Sequence, residues 1–201
     1  MRFIGRANVV KRLEPFEGQP GRTRYADGAV RVETRGEAFE VRPPFGLAHE
    51  AKYDRVYLGP LFDALAADHV VAALLVRLGG YAVGVFDGER LVASKVGSRF
   101  VKGRHRKGGS SANRFRRRRE EQARALTGEA ASAAVRVLAP WRDRVEFAAL
   151  GGDRAAVAAV LANSELRWLE EIALERFFDV PEPRLRVLER LPYDLYAVEV
   201  K

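Results

Sequence analysis

Between Gly103 and Ser111 the chain reads Gly-Arg-His-Arg-Lys-Gly-Gly-Ser-Ser, a stretch with the residue types needed to hold an anion and to act on it. Gly108 and Gly109 lack a Cβ, so the main chain can take positive φ there and a ligand can approach the backbone closely. Ser110 and Ser111 offer hydroxyls or a helix N-cap, and His105 is a base that titrates near neutral pH. Arg104, Arg106 and Lys107 fill the same nine residues with positive charge. A helical pattern follows at once, and the unsatisfied N–H groups and positive dipole end of a helix start would add to that field. Such a place binds anions, phosphate above all. A lone Gly-Gly also fits a plain flexible turn capped by one of the serines.

The charge around this loop is local. Residues 90–119 hold twelve of the 35 Lys and Arg residues and no Asp or Glu; the remainder carries 23 basic against 27 acidic residues, turning a formal +8 into −4. A cationic field on a slightly acidic body describes a docking site for a polyanion. Runs of like charge are often only solvated tails, but glycines, Phe115 and an apolar strand pattern are interleaved here.

Several chemistries fit poorly. Gly103 and Gly108 have the spacing of a phosphate-binding P-loop, but Gly109 stands where the phosphate-reaching lysine must be. A two-metal nuclease needs carboxylates on central strands, and the stretch from His69 to Leu78 has none. Asp87 is explained by a turn. Neither serine lies in a nucleophile elbow, and no carboxylate in the segment could orient His105. Cysteine is absent, and His49, His69 and His105 lack ligand spacing, so no metal is expected. The longest wholly apolar run, Val70 to Val76, is far short of the ~20 residues that span a bilayer, and Met-Arg-Phe-Ile-Gly-Arg is too brief for a secretory signal. The expected location is the cytoplasm.

The elements that must carry the loop are readable on both sides of it. Apolar segments at 70–78, 81–86 and 91–96, separated by Gly79-Gly80 and Asp87-Gly88, predict a three-strand meander preceded by a short helix over 61–67. The first strand is apolar on both faces, which requires cover on both sides of the sheet. Residues 112–138 predict one long helix, with a kink at Gly128. A strand over 145–150, a helix over 153–161 capped by Asp153, a helix over 166–176 and a last strand over 194–200 complete the order. Trp141 and Trp168 read as packing residues. Before Pro60, alternation at Val30, Val32, Phe39 and Val41 predicts a hairpin around Arg35-Gly36. The expectation is an α/β fold, a mixed sheet with helices on both faces over residues 60–201, plus a small β-containing N-terminal part over 1–59.

The string from Gly108 to Glu121, Gly-Gly-Ser-Ser-Ala-Asn-Arg-Phe-Arg-Arg-Arg-Arg-Glu-Glu, resembles the Gly-Gly-Gln segment and following helix in the middle domain of archaeal and eukaryotic class-one peptide release factors. Gly80-Tyr81-Ala82-Val83-Gly84-Val85, Val92 to Arg99, Gly151 to Val157 and Asp179 to Leu185 widen the likeness to a bacterial branch, the Vms-like release-factor (VLRF) peptidyl-tRNA hydrolases, over roughly residues 60–201. The resemblance implies an RNase H-like fold, a role in ribosome quality control, and hydrolysis of the ester that joins a nascent peptide to tRNA. It also implies the large ribosomal subunit and peptidyl-tRNA as partners, with no cofactor, no membrane and no DNA.

On that reading, Gly108, Gly109, Ser110 and Ser111 meet the ester, where fixed main-chain N–H groups stabilise the developing oxyanion. Arg104, Arg106, Lys107, Arg114, Arg117 and Arg118 meet RNA phosphates, Arg114 and Arg118 being four apart on one helical face. One departure matters. Release factors carry Gln directly after the two glycines, where this chain has Ser110, and the bacterial branch two places later, where it has Ala112. The chain's two glutamines are Gln19 and Gln122, the latter ~18 Å along the helix from Ser110. Either a backbone amide near Ser110 makes the essential contact while a serine hydroxyl or His105 holds the water, or the protein occupies the same place without cutting.

Overall fold

The computed structural model describes residues 2–98 and 111–201, the side chains of 111–116 excepted. It divides into two compact units, one of residues 69–190 and one of 1–68 with 191–201.

The 69–190 unit is built on a four-stranded sheet. Strands β6 (Val70–Arg77), β7 (Gly80–Asp87) and β8 (Arg90–Ser98) form the antiparallel meander, and β9 (Phe147–Gly152) lies parallel to β6, giving the order β8-β7-β6-β9. The β7–β8 loop centres on Gly88-Glu89, Gly88 taking φ of 60°. Helix α3 (Ser111–Leu138) runs without interruption through Gly128, where the sequence predicts a kink, and α4 (Arg154–Leu161) follows β9. Both cover the face carrying Leu74, Val76, Val83 and Val85, which form one core with Leu126, Ala130, Leu138, Val157 and Val160. On the opposite face, Gly84 leaves a notch that Leu188 of α6 (Leu185–Leu195) fills; a Cβ at Gly84 would meet its Cδ2 at 2.9 Å. The sheet is therefore mixed and helix-covered on both sides, as the apolar β6 requires.

Asp153 caps α4 as its position suggests, its carboxylate accepting from Ala155 N at 2.9 Å and Ala156 N at 3.1 Å. Trp141 and Trp168 pack half-buried against the core, as expected. The helix expected over 166–176 is cut short. Only α5 (Trp168–Glu171) is α-helical, and the chain then bridges the open edge of β9 at Ala148–Ala173 and Gly151–Phe178. Unpaired donors and acceptors on that edge win over helix continuation: Ala148 N donates to Ile172 O at 2.8 Å and Phe178 N to Leu150 O at 2.9 Å.

The other unit holds a six-stranded antiparallel sheet. Its strands are β1 (Arg2–Gly5), β2 (Arg22–Ala26), β3 (Ala29–Glu33), β4 (Ala38–Arg42), β5 (Ala51–Tyr53) and β10 (Ala197–Val200), in the order β1-β10-β4-β3-β2-β5. The predicted hairpin is β3–β4, and the chain's last strand enters this sheet between β1 and β4. Helices α1 (Arg6–Leu13) and α2 (Gly59–Ala66) cover one face, Val9, Leu13, Leu61 and Leu65 packing on Tyr25, Val30, Val32, Val41 and Val198.

Candidate functional site

β8 ends at Ser98 and α3 begins at Ser111. Gly108, Gly109, Ser110, His105, Arg104, Arg106 and Lys107 lie outside the described residues, as do the side chains of Ser111 and Arg114. Arg117 and Arg118 are exposed on α3. β8 and α3 support the loop on either side.

The strand side is fixed by an aromatic ring. Tyr81, 6% exposed, lies across Gly97, and a Cβ there would fall inside the ring's van der Waals envelope. Only glycine fits, so Gly97 lets Tyr81 seal the core one residue before β8 ends. Lys95 stands exposed on β8 opposite Val83, on the face that α3 covers. It belongs to the basic run but has no motif around it, so nothing in the sequence singles it out.

The helix side is anchored late. Leu126 is the first buried residue of α3 beyond position 116; none from 117 to 125 is buried. At 1.5 Å per residue, the helix start lies about 22 Å ahead of that anchor. Between them, residues 117–125 are exposed or partly buried. The charge order of the helix is unusual. A helix start carries the positive end of the backbone dipole and favours Asp or Glu, yet α3 has no acidic residue in its first turn and places Arg114, Arg116, Arg117, Arg118 and Arg119 in its first nine residues. Repulsion among these charges and with the dipole disfavours the helix start, and a bound anion would relieve it.

No general acid–base machinery supplements this region among the described residues. A histidine–carboxylate pair joins His69 Nδ1 to Glu146 Oε2 at 2.9 Å, while Val70 N donates to Glu146 Oε1 at 3.0 Å. Desolvation pushes the Glu146 carboxyl up, but hydrogen bonds from His69 and Val70 outweigh it and hold the group below its usual range. This pair sits where β6 starts, which the register places beside Asp87 and Arg90 at the end of the sheet opposite Ser98. Among the described residues, no group of three His, Asp or Glu gathers to hold a metal ion, and no helix is long and apolar enough to cross a membrane. Gln19 donates to Pro15 O at 2.6 Å in the other unit, and Gln122 is half-buried along α3.

A family model described as the Actinobacteria/chloroflexi VLRF1 release factor matches residues 69–201. No curated protein matches the chain. Among solved structures, the archaeal translation termination factor aRF1 is similar, at 16% identity and a TM-score of 0.48 over 94% of this chain and 54% of that one. A second solved archaeal protein is similar at 18% identity and a TM-score of 0.41, over 96% and 55% of the two chains. The chain thus spans about half the length of these solved structures.

Proposed function

The chain belongs to the Actinobacteria/chloroflexi VLRF1 release factor family, whose work lies in translation, and from that premise we propose that it hydrolyses peptidyl-tRNA on the large ribosomal subunit, freeing stalled nascent peptides. The observation that carries this reading is the arginine-rich, carboxylate-free start of α3, directly behind Gly108-Gly109.

The division of labour follows from charge. Arg104, Arg106, Lys107, Arg114, Arg117 and Arg118 contact phosphates of tRNA and ribosomal RNA, which position the loop without reading sequence. Gly108 and Gly109 give the main chain room to approach the ester at the tRNA 3′ end. Water attacks the ester carbonyl carbon, and backbone N–H groups at Gly109 to Ser111 stabilise the negative charge that develops on the carbonyl oxygen. The bond to the ribose oxygen then breaks, that oxygen takes one proton of the attacking water, and the peptide leaves as a carboxylate with the second proton passing to solvent. Ser110 or His105 holds the water, the place a glutamine takes in the related factors. Positioning of ester and water supplies the remaining acceleration.

A second reading rests on the absence of glutamine at 110 and 112: the protein occupies the site and does not cut. Large subunits carrying labelled peptidyl-tRNA separate the two. Release that is abolished by Gly109→Asp supports the hydrolase; tight, salt-sensitive binding without release supports the rival. Ser110→Gln and Ala112→Gln, tested separately, identify the position equivalent to the family glutamine, because only that one should accelerate release.

A further inference from the structure

The six-stranded sheet has two unlike faces. Helices cover one; the other carries the alternate residues of each strand, exposed at Arg22, Arg24, Arg31, Glu33 and Lys52 and buried at Ala29 and Ala197. Register places Arg24 of β2 directly opposite Arg31 of β3 and, on its other side, opposite Lys52 of β5. Arg22 lies two residues before Arg24 on the same face. All four are exposed. Cross-strand partners have Cβ atoms roughly 5 Å apart, close enough for like charges to destabilise the sheet. The same register sets Glu33 opposite Arg22 and Glu40 opposite Arg31, yet among the described residues Arg22, Arg24 and Lys52 form no ion pair or hydrogen bond, while Arg31 lies 3.1 Å from Glu33. Other basic residues nearby are engaged in the fold, Arg42 Nη1 donating to Asp27 O at 2.7 Å and Lys201 Nζ lying 3.2 Å from Glu199 Oε1.

We propose that this face, centred on Arg22, Arg24, Arg31 and Lys52, binds the sugar–phosphate backbone of RNA, as an interaction surface separate from the glycine loop. Three unpaired cations held side by side by the sheet register are a ready-made match for closely spaced phosphates, which would relieve the repulsion the free protein bears. The patch offers no large apolar or aromatic side chain; besides the cations, β2 and β3 add Ala26, Ala29 and Glu33 to this face. A protein partner would need such an anchor at the interface centre, and base-specific readout would need amide or aromatic groups, so backbone contact without sequence preference is what this chemistry supports. The patch lies outside residues 69–201 matched by the release-factor family, so it does not depend on the loop or on catalysis.

The test uses the full chain and its Arg22→Ala/Arg24→Ala/Lys52→Ala variant. A charge-matched control, Arg136→Ala/Arg167→Ala/Arg186→Ala, removes exposed cations elsewhere. Dissociation constants for labelled deacylated tRNA and for large ribosomal subunits are measured across a potassium chloride series. Because three phosphate-binding cations are removed, the slope of log Kd against log salt should become shallower by about two for the patch variant and stay unchanged for the control. A weakening confined to tRNA or to subunits tells which RNA the surface uses. Equal slopes for both variants with both RNAs overturn the proposal, and polyglutamate bound as tightly as RNA overturns it in favour of an acidic protein. Thermal unfolding checks the fold: the patch variant should melt no lower than the parent, since it removes like-charge repulsion.

Discussion

Gly128 gives the account of α3 a sharp and sign-specific consequence. It lies 17 residues into a 28-residue helix, is exposed, and has open space where a Cβ would project, with no atom within 4 Å. Replacement by alanine therefore adds no clash and buries no new apolar surface. What remains is the helix-interior difference between the two residues, about 0.8–1.0 kcal/mol in favour of alanine. For a protein of this size that corresponds to a rise of roughly 2–4 °C in melting temperature. Gly128→Pro is the opposing control: it removes the N–H that donates one turn back and clashes with that turn, costing about 3 kcal/mol or more. Differential scanning calorimetry of both variants measures the pair. A Gly128→Ala protein that melts at or below the parent temperature would refute the picture of an uninterrupted, regular helix through this point.

Other elements yield their own tests. Asp153→Ala removes the acceptor for two N–H groups at the start of α4 and should cost about 1 kcal/mol in denaturant unfolding, whereas Asp153→Ser should recover most of it. Burial pushes the Tyr25 phenol well above its ordinary range while its hydroxyl donates to Tyr57 O at 2.7 Å. The stability this gives is fully present below about pH 10, the unfolded value, and is lost as pH rises beyond it; Tyr25→Phe should flatten that alkaline loss and cost about 1–3 kcal/mol at neutral pH. Glu146 acts in the opposite sense. Its lowered value contributes stability above about pH 4.3 that disappears as pH falls through the folded value, by well under 1 kcal/mol because the side chain is half exposed, and an acid titration of Glu146→Gln should lack that component.

How much of this fold is legible in the sequence depends on how local the determining forces are. The meander β6 to β8 is legible because its apolar runs and glycine turns lie within thirty residues, and Asp153 because a cap acts on its own next three residues. Helix α6 is harder to read: Leu185, Leu188, Leu191 and Leu195 have helical spacing, but Pro192 inside it argues against a helix unless, as here, it falls in the last turn. The Asp27-Gly28 turn between β2 and β3, with φ of 53° and 70°, carries the same hairpin cue as Asp87-Gly88, and that signal could have located β2 as well. The end of the predicted 166–176 helix and the entry of β10 beside β1 are set by edges that only the folded sheets present. Of the site, the loop's chemistry is legible in its residue types. The late anchoring of α3 at Leu126 needs the core, and the cationic face needs a register that brings Lys52 beside Arg24 from 28 positions away.

In the proposed hydrolase the Gly108-Gly109 tip acts on the peptidyl ester. The most direct measurement of that action is the single-turnover rate of peptide release at saturating protein, with large subunits loaded with labelled peptidyl-tRNA, comparing the parent with Gly109→Asp. Release by the parent is expected, with release by the variant at least about a hundredfold slower because the Asp carboxylate blocks close approach and opposes the developing oxyanion, and with the variant still sedimenting with the subunits. Equal rates for the two, or no release by a parent that fully occupies the subunits, would contradict it.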